Sequence, residues 1–151
     1  MRGTALKIRD IQNGDLERLC NIDRLCFPAD IAFSRKEFLF HLNHPGSITR
    51  LMEREDSILG FVMGCIEDQQ YAHVITLDVL PEARQGGIGT ALMNVLHEEF
   101  EKKGIRAVIL EVSIRNLPAQ RLYEKLRYQY LGKISGYYRG REDAYRMARF
   151  L

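Results

Sequence analysis

Apolar and polar residues alternate along "ALKIRDI", residues 5–11, a period of two that predicts a strand. The period then lengthens. Leu16, Leu19, Cys20 and Cys26 fall at helical spacing behind Asp15, a residue type that caps helices, so a helix is expected up to the break at "FPADIAF". Ser34 predicts the start of a second helix bearing Phe38, Leu39 and Leu42. "SITRLMERE" and "SILGFVMGCIE" read as two strands joined by a tight turn at Glu55 and Asp56.

"AHVITLDVL" is apolar on both faces. His73, Ile75, Leu77 and Val79 share one face by parity, and Val74, Thr76 and Leu80 the other, which predicts a central strand covered on both sides. From Gly89, the positions Ala91, Leu92, Val95, Leu96 and Phe100 mark one side of a helix that ends at Gly104. "RAVILEVS" is a further buried strand. Asn116 can cap a last helix, with Pro118 in its first turn and Leu122, Tyr123 and Leu126 on its buried side. "YQYLGKISGYY" and "DAYRMARFL" form a closing strand pair. The order β-α-α-β-β-β-α-β-α-β-β implies an α/β protein with a mixed sheet flanked by helices.

Composition narrows the function without choosing it. A chain of 151 residues, 46% hydrophobic and 28% charged, is ordinary for a soluble globular protein. With no repeat or Ser/Pro-rich linker, one domain over 1–151 is expected. No apolar run would span a bilayer, and "MRGTALKIRD" lacks the apolar region of a secretory signal. A net charge of +2 is too small to suggest nucleic acid. Cys20, Cys26 and Cys65 lack CxxC spacing, so neither a disulfide framework nor a zinc site is expected; reduced thiols in a cytoplasmic protein are. Arg139, Arg141, Arg146 and Arg149 are interrupted by Glu142 and Asp143 and read as a solvated basic face rather than a surface that steers an acidic partner.

The densest chemistry lies in "VLPEARQGGIGTALMNVL". A strand, a run with Gly86, Gly87 and Gly89, and a helix start together present unpaired N–H groups at the positive end of a helix dipole, where phosphate binds. A P-loop would need Lys–Ser/Thr after its last glycine, but Thr90–Ala91 follow Gly89. A dinucleotide fingerprint would need glycine where Leu92 stands. The pattern present is Arg84-x-x-Gly87-x-Gly89. It resembles the acyl-CoA-binding motif of the GCN5-related N-acetyltransferases (GNAT). "LEVSIRNLPAQRLYEKLRY" resembles the next segment of that superfamily, and "GYYRGREDAYRM" the ending of its protein N-terminal acetyltransferases, RimI-like enzymes included.

The resemblance implies a mostly antiparallel sheet with splayed central strands, acetyl-CoA as co-substrate and no metal. It implies that the backbone of Gln85, Gly86, Gly87, Ile88, Gly89 and Thr90 cradles the diphosphate beside Arg84. The amides of Leu77 and Val79 would bond the acetyl carbonyl and the pantetheine arm, with Asn116 a further contact to the arm. Glu111 would be the base, with burial raising its pKa; unaided by the resemblance, it reads equally as a carboxylate on the open side of the sheet or one paired with Arg106 or Arg115. His73, on the neighbouring strand, is a second candidate, compatible with Glu111 through a shared water. Tyr123 would be the acid that protonates the departing thiolate, against its plain reading as a core aromatic. Phe27, Pro28 and Phe33 would form one wall of a peptide entrance, and Tyr137 and Tyr138 the other.

An acetyltransferase acting on the α-amine of a protein or peptide, a ribosomal protein among the candidates, is the resulting expectation, working as a monomer or homodimer without nucleic acid or membrane. A small-molecule amine acetyltransferase (polyamine, amino acid or aminoglycoside) and a non-catalytic acyl-CoA-binding subunit are the rivals. The sequence departs from the family at Arg127, where the turn after the last helix usually has glycine, and at Ala29, where related catalytic subunits carry glutamate beside a position that is Asp30 here.

Overall fold

The computed structural model describes residues 5–151. The expectation about a leader bears partly on residues 1–4, which lie outside the described residues. Strands β1 (Leu6–Asp10), β2 (Ser47–Arg54), β3 (Ser57–Ile66), β4 (Tyr71–Val79), β5 (Ala107–Ser113), β6 (Gln129–Tyr138) and β7 (Glu142–Phe150) form one seven-stranded sheet in the order β1-β2-β3-β4-β5-β7-β6. Between them run helices α1 (Leu16–Cys26), α2 (Arg35–Leu42), α3 (Ile88–Lys102) and α4 (Leu117–Lys125). Every expected element is present in the expected order. Among the described residues, no helix is long and apolar enough to cross a membrane.

The helices divide over the two faces of the sheet. Leu92, Leu96 and Phe100 of α3 and Tyr123 of α4 pack with Val62, Val74, Val108, Leu110 and Met147 on one side. Leu19 of α1 and Phe38 of α2 pack with Leu51, Phe61 and Met63 on the other. Gly64 sets how closely α3 approaches: a Cβ there would stand 2.8 Å from Phe100 and 2.9 Å from Leu96. Two caps act as their residue types predict. The Ser34 hydroxyl accepts from the Glu37 N–H while Glu37 accepts from the Ser34 N–H, and Asn116 accepts from the Ala119 N–H. Asp15 does not cap α1 with its side chain. It is drawn instead to Arg9, at 2.9 Å, and to the Gln12 N–H.

All neighbouring strands are antiparallel except β4 and β5, which pair in parallel only at Tyr71–Ala107, Ala72–Val108 and His73–Ile109. Beyond His73 the two strands part, so residues 74–79 of β4 have no strand partner on that edge among the described residues. A register shift opposite Met63 and Gly64 puts one extra residue into β4 at this point. The parity of β4 therefore reverses. Ala72, Val74, Leu77 and Val79 join the α3 side, whereas Ile75 and Leu80 join the α1 side. This corrects the single face assigned to His73, Ile75, Leu77 and Val79, all four of which are only half-buried where the sheet opens.

Candidate active site

The parting of β4 and β5 forms a wedge with its vertex at His73 and Ile109. Glu111 lies two residues beyond Ile109 on the same face of β5, which brings its carboxylate to His73. His73 Nε2 and Glu111 Oε1 are 2.5 Å apart. No water fits between them, so the expected bridge is a direct contact. The Tyr137 hydroxyl donates to the same oxygen at 3.1 Å, and Arg146 Nε donates to Oε2 at 2.8 Å. Arg146 stands directly opposite Glu111 in the β5–β7 pairing. The Glu111 partner is thus neither Arg106 nor Arg115.

The Glu111 side chain is 3% exposed, and burial alone would raise its pKa. The bonds and charges of His73 and Arg146 outweigh that effect and hold the carboxyl below its ordinary value. The expectation of a glutamate tuned upward is therefore corrected. This is an ionised carboxylate aimed at an imidazole and able to orient the ring. Tyr137 shifts the opposite way, because burial and then the Glu111 charge disfavour the phenolate.

The glycine loop lies at the far end of the wedge. Gln85 and Gly87 both take positive φ, 66° and 84°, and Gly87 begins α3 with no side-chain cap. The N–H groups from Gln85 to Thr90 have no protein partner among the described residues. A Cβ on Gly87 would meet nothing within 4 Å, whereas one on Gly89 would touch Leu122, Leu77 and Val79. Together these features make an uncapped row of donors, exposed over Gln85, Gly86 and Gly87, which suits a diphosphate. Arg84 folds back, its Nε donating to the Val79 carbonyl at 2.9 Å.

Tyr123 is buried in the α3-side core, edge-on to Tyr128, and its hydroxyl has no protein partner among the described residues. Burial, then the nearby Asp78 carboxyl, push its pKa well up, which keeps it a proton donor. Asn116 uses its side-chain oxygen as a cap and leaves its NH₂ free among the described residues.

The segments that carry the two aromatic groups are tied together. Phe27 and Phe33 are half-buried and Pro28 is exposed. Phe33 sits edge-on to Phe38, and Tyr137 edge-on to Tyr138. Arg139 reaches the Ala32 carbonyl at 2.9 Å and Glu37 at 3.0 Å, while Arg141 meets Asp30 at 3.2 Å. Arg149 bonds His97 and the Leu126 carbonyl. The supposed solvated basic face is thus dispersed into four separate partnerships.

Two groups escaped the sequence reading. Arg146 looked like one of several surface arginines, and only the β5–β7 register reveals its partner. Asp78, near the end of β4, is fully buried against Asp23 of α1. Asp78 accepts from the Thr76 hydroxyl and Asp23 from the Phe33 N–H, and the pair's remaining oxygens, Asp78 Oδ2 and Asp23 Oδ1, have no hydrogen-bond partner among the described residues. Burial is the first cause that raises the pKa of both carboxyls. An aspartate in the middle of "VITLDVL" was the available signal.

Comparison with known proteins gives this architecture a family. The sequence profile of the Acetyltransferase (GNAT) family matches residues 16–128. An N-alpha-acetyltransferase from Sulfurisphaera tokodaii is 30% identical, over 97% of this chain and 94% of its own. The crystal structure of the ribosomal-protein-S18-alanine N-acetyltransferase from Escherichia coli superposes with a TM-score of 0.86 at 26% identity, covering 97% of this chain and 94% of that one. NAA60 from Arabidopsis thaliana in complex with acetyl-CoA does so with a TM-score of 0.84 at 26% identity, covering 97% and 99%. The chain belongs to the GNAT acetyltransferase family, and is an N-acetyltransferase.

Proposed function

We propose that this chain, acting as one domain over 1–151, transfers an acetyl group from acetyl-CoA to the α-amine of a protein or peptide N-terminus, with both substrates held together. The observation that carries this reading is the His73–Glu111 contact at the vertex of the parted strands, with a row of bare amides at the wedge's far end. The acetyl-CoA-bound neighbour and the N-alpha-acetyltransferase relative support it.

The thioester supplies an activated acetyl group, and the chain's residues do the rest. The amides from Gln85 to Thr90 hold the diphosphate, with Arg84 close by. The free edge of β4 at Leu77 and Val79 and the Asn116 NH₂ align the pantetheine arm. Phe27, Pro28, Phe33, Tyr137 and Tyr138 line the acceptor's entrance. An amine attacks only when neutral. Deprotonating an α-amine costs roughly 1 kcal/mol at pH 7, against roughly 4–5 for lysine. His73 takes that proton, and ionised Glu111 steadies the resulting imidazolium. Tyr123, kept protonated by burial, donates to the departing sulfur.

A polyamine acceptor would need unpaired carboxylates on the acceptor side. Glu37 and Asp30, which stand there, are bound by Arg139 and Arg141, which favours a peptide. A cytoplasmic setting accords with three free cysteines, and ribosomal proteins are acceptors to test first. Incubating the protein with acetyl-CoA and peptides of varied N-termini, read by mass spectrometry, tests the assignment. Acetylation confined to α-amines is expected. Modification only of lysines in peptides with blocked N-termini, or only of small amines, overturns it.

A further inference from the structure

A second cluster of chemically capable side chains sits beside the acetyl-transfer residues. Among the described residues, His44, Cys65 and Glu67 gather their donor atoms within 4.8 Å of one another. They come from three places. His44 lies in the turn between α2 and β2, Cys65 near the end of β3, and Glu67 just past that end. Cys65 pairs with Ser47 on one side and with His73 on the other.

The geometry holding His44 to Cys65 is built into the backbone. Gly46 lies so close to β3 that a Cβ would stand 2.4 Å from the Ile66 carbonyl, while its own carbonyl accepts from the Ile66 N–H at 2.9 Å. Only glycine allows that approach, and it carries His44 onto the strand. The Gly46 N–H donates to His44 Nδ1 at 2.9 Å, which fixes this nitrogen as an acceptor. Cys65 Sγ is 3.1 Å from the same nitrogen, so sulfur and nitrogen are already held at close to the spacing of two ligands on one ion.

We propose that His44, Cys65 and Glu67 form a binding site for one thiophilic divalent cation of the zinc class, with a fourth position open to water. The cation replaces the thiol proton, which leaves to solvent, and no electron changes hands. Tetrahedral zinc with ordinary bond lengths sets sulfur and nitrogen about 3.5 Å apart, so the 3.1 Å contact opens by a few tenths of an ångström. Gly46 gives up its bond to Nδ1 in the exchange. Glu67 is exposed and free to swing inward.

The site is distinct from the His73–Glu111 contact but adjoins it. Glu67 Oε2 lies 3.7 Å from His73 Nδ1, so an ion that recruits Glu67 removes a carboxylate from the other side of the imidazole. This coupling rests on the function proposed above; the binding of the ion does not.

Metal-free protein titrated with zinc against a chromogenic chelator, and separately with cobalt(II), tests the proposal. One equivalent of zinc should bind, and cobalt should show a thiolate charge-transfer band with tetrahedral visible bands. Cys65→Ser should abolish the charge-transfer band. Glu67→Gln, at an exposed position that does not endanger folding, should weaken zinc by about tenfold or more. His73→Gln should leave both the band and the stoichiometry unchanged. No stoichiometric uptake, a band that survives Cys65→Ser, or a site lost with His73 but not with Glu67 overturns the proposal. Failure to bind zinc in protein that still acetylates peptides sinks this site alone.

Discussion

Replacing Glu111 with glutamine tests the proton path most directly. The carboxylate accepts from His73 at 2.5 Å, Arg146 at 2.8 Å and Tyr137 at 3.1 Å. Glutamine keeps the length but presents one oxygen, and its amide nitrogen is a donor facing donors. At least one neighbour loses its acceptor, a loss of about 1–3 kcal/mol for a buried group. Arg146, with its side chain 42% exposed, can turn to water and soften that loss. The chemical consequence is larger. Without a negative charge against the ring, His73 gains little by accepting the amine's proton, and loss of a positioned base lowers rates by about 10²–10⁴-fold.

Because the Glu111 pKa is held below its ordinary value, its stabilising contribution is present above the ordinary carboxylate range. That contribution is lost only as pH falls through the lowered value, so neutral and alkaline kinetics report chemistry rather than unfolding. An α-amine is neutral in roughly one molecule in seven at pH 7 and in nearly all at pH 9, so the variant's deficit should shrink by about sevenfold over that range. Steady-state release of the CoA thiol, measured with the best peptide acceptor, provides the assay. His73→Gln should show a similar deficit, and the double variant should be no worse than either single one. A Glu111→Gln enzyme as fast as wild type at pH 7, or two deficits that multiply, refutes the shared path.

Gly89→Asp would set a carboxylate among the bare amides and press a Cβ to 3.2 Å from Leu122. Calorimetry should then find acetyl-CoA binding abolished, and unchanged affinity would remove the loop from the site. Arg127 holds φ at 71°, where a side chain costs about 1 kcal/mol or more. Since glycine returns part of that gain as unfolded-state entropy, Arg127→Gly should stabilise by roughly 0.5–1 kcal/mol, raising Tm by roughly 1–4 °C. A lower melting temperature would contradict the strain. Asp78 has a raised folded pKa, so wild type loses stability as pH climbs from the ordinary carboxylate value towards that raised one. Asp78→Asn can still accept from Thr76, so its denaturant midpoint should gain on wild type as pH rises above the ordinary carboxylate range; a deficit that is constant with pH would rule out the raised Asp78 pKa.

Much of this protein could be read one residue after another. Helix and strand periods, the Ser34 and Asn116 caps and the glycine loop all depend on neighbours a few positions away, and the sequence carries that information directly. The turn at Arg127 shows how firmly such local order holds: the Tyr128 N–H still returns to the Tyr123 carbonyl at 2.9 Å although the usual glycine is missing. What joins distant segments was not legible. One extra residue in β4 reversed its parity, and nothing in "AHVITLDVL" marks where that residue falls. The register of β7 against β5 turned Arg146 from a surface charge into the Glu111 partner, and helix packing placed Asp23 over Asp78. Charges on separate strands acquire their pKa values only when the chain closes, because burial and Coulomb interaction depend on distances in space that sequence spacing does not encode.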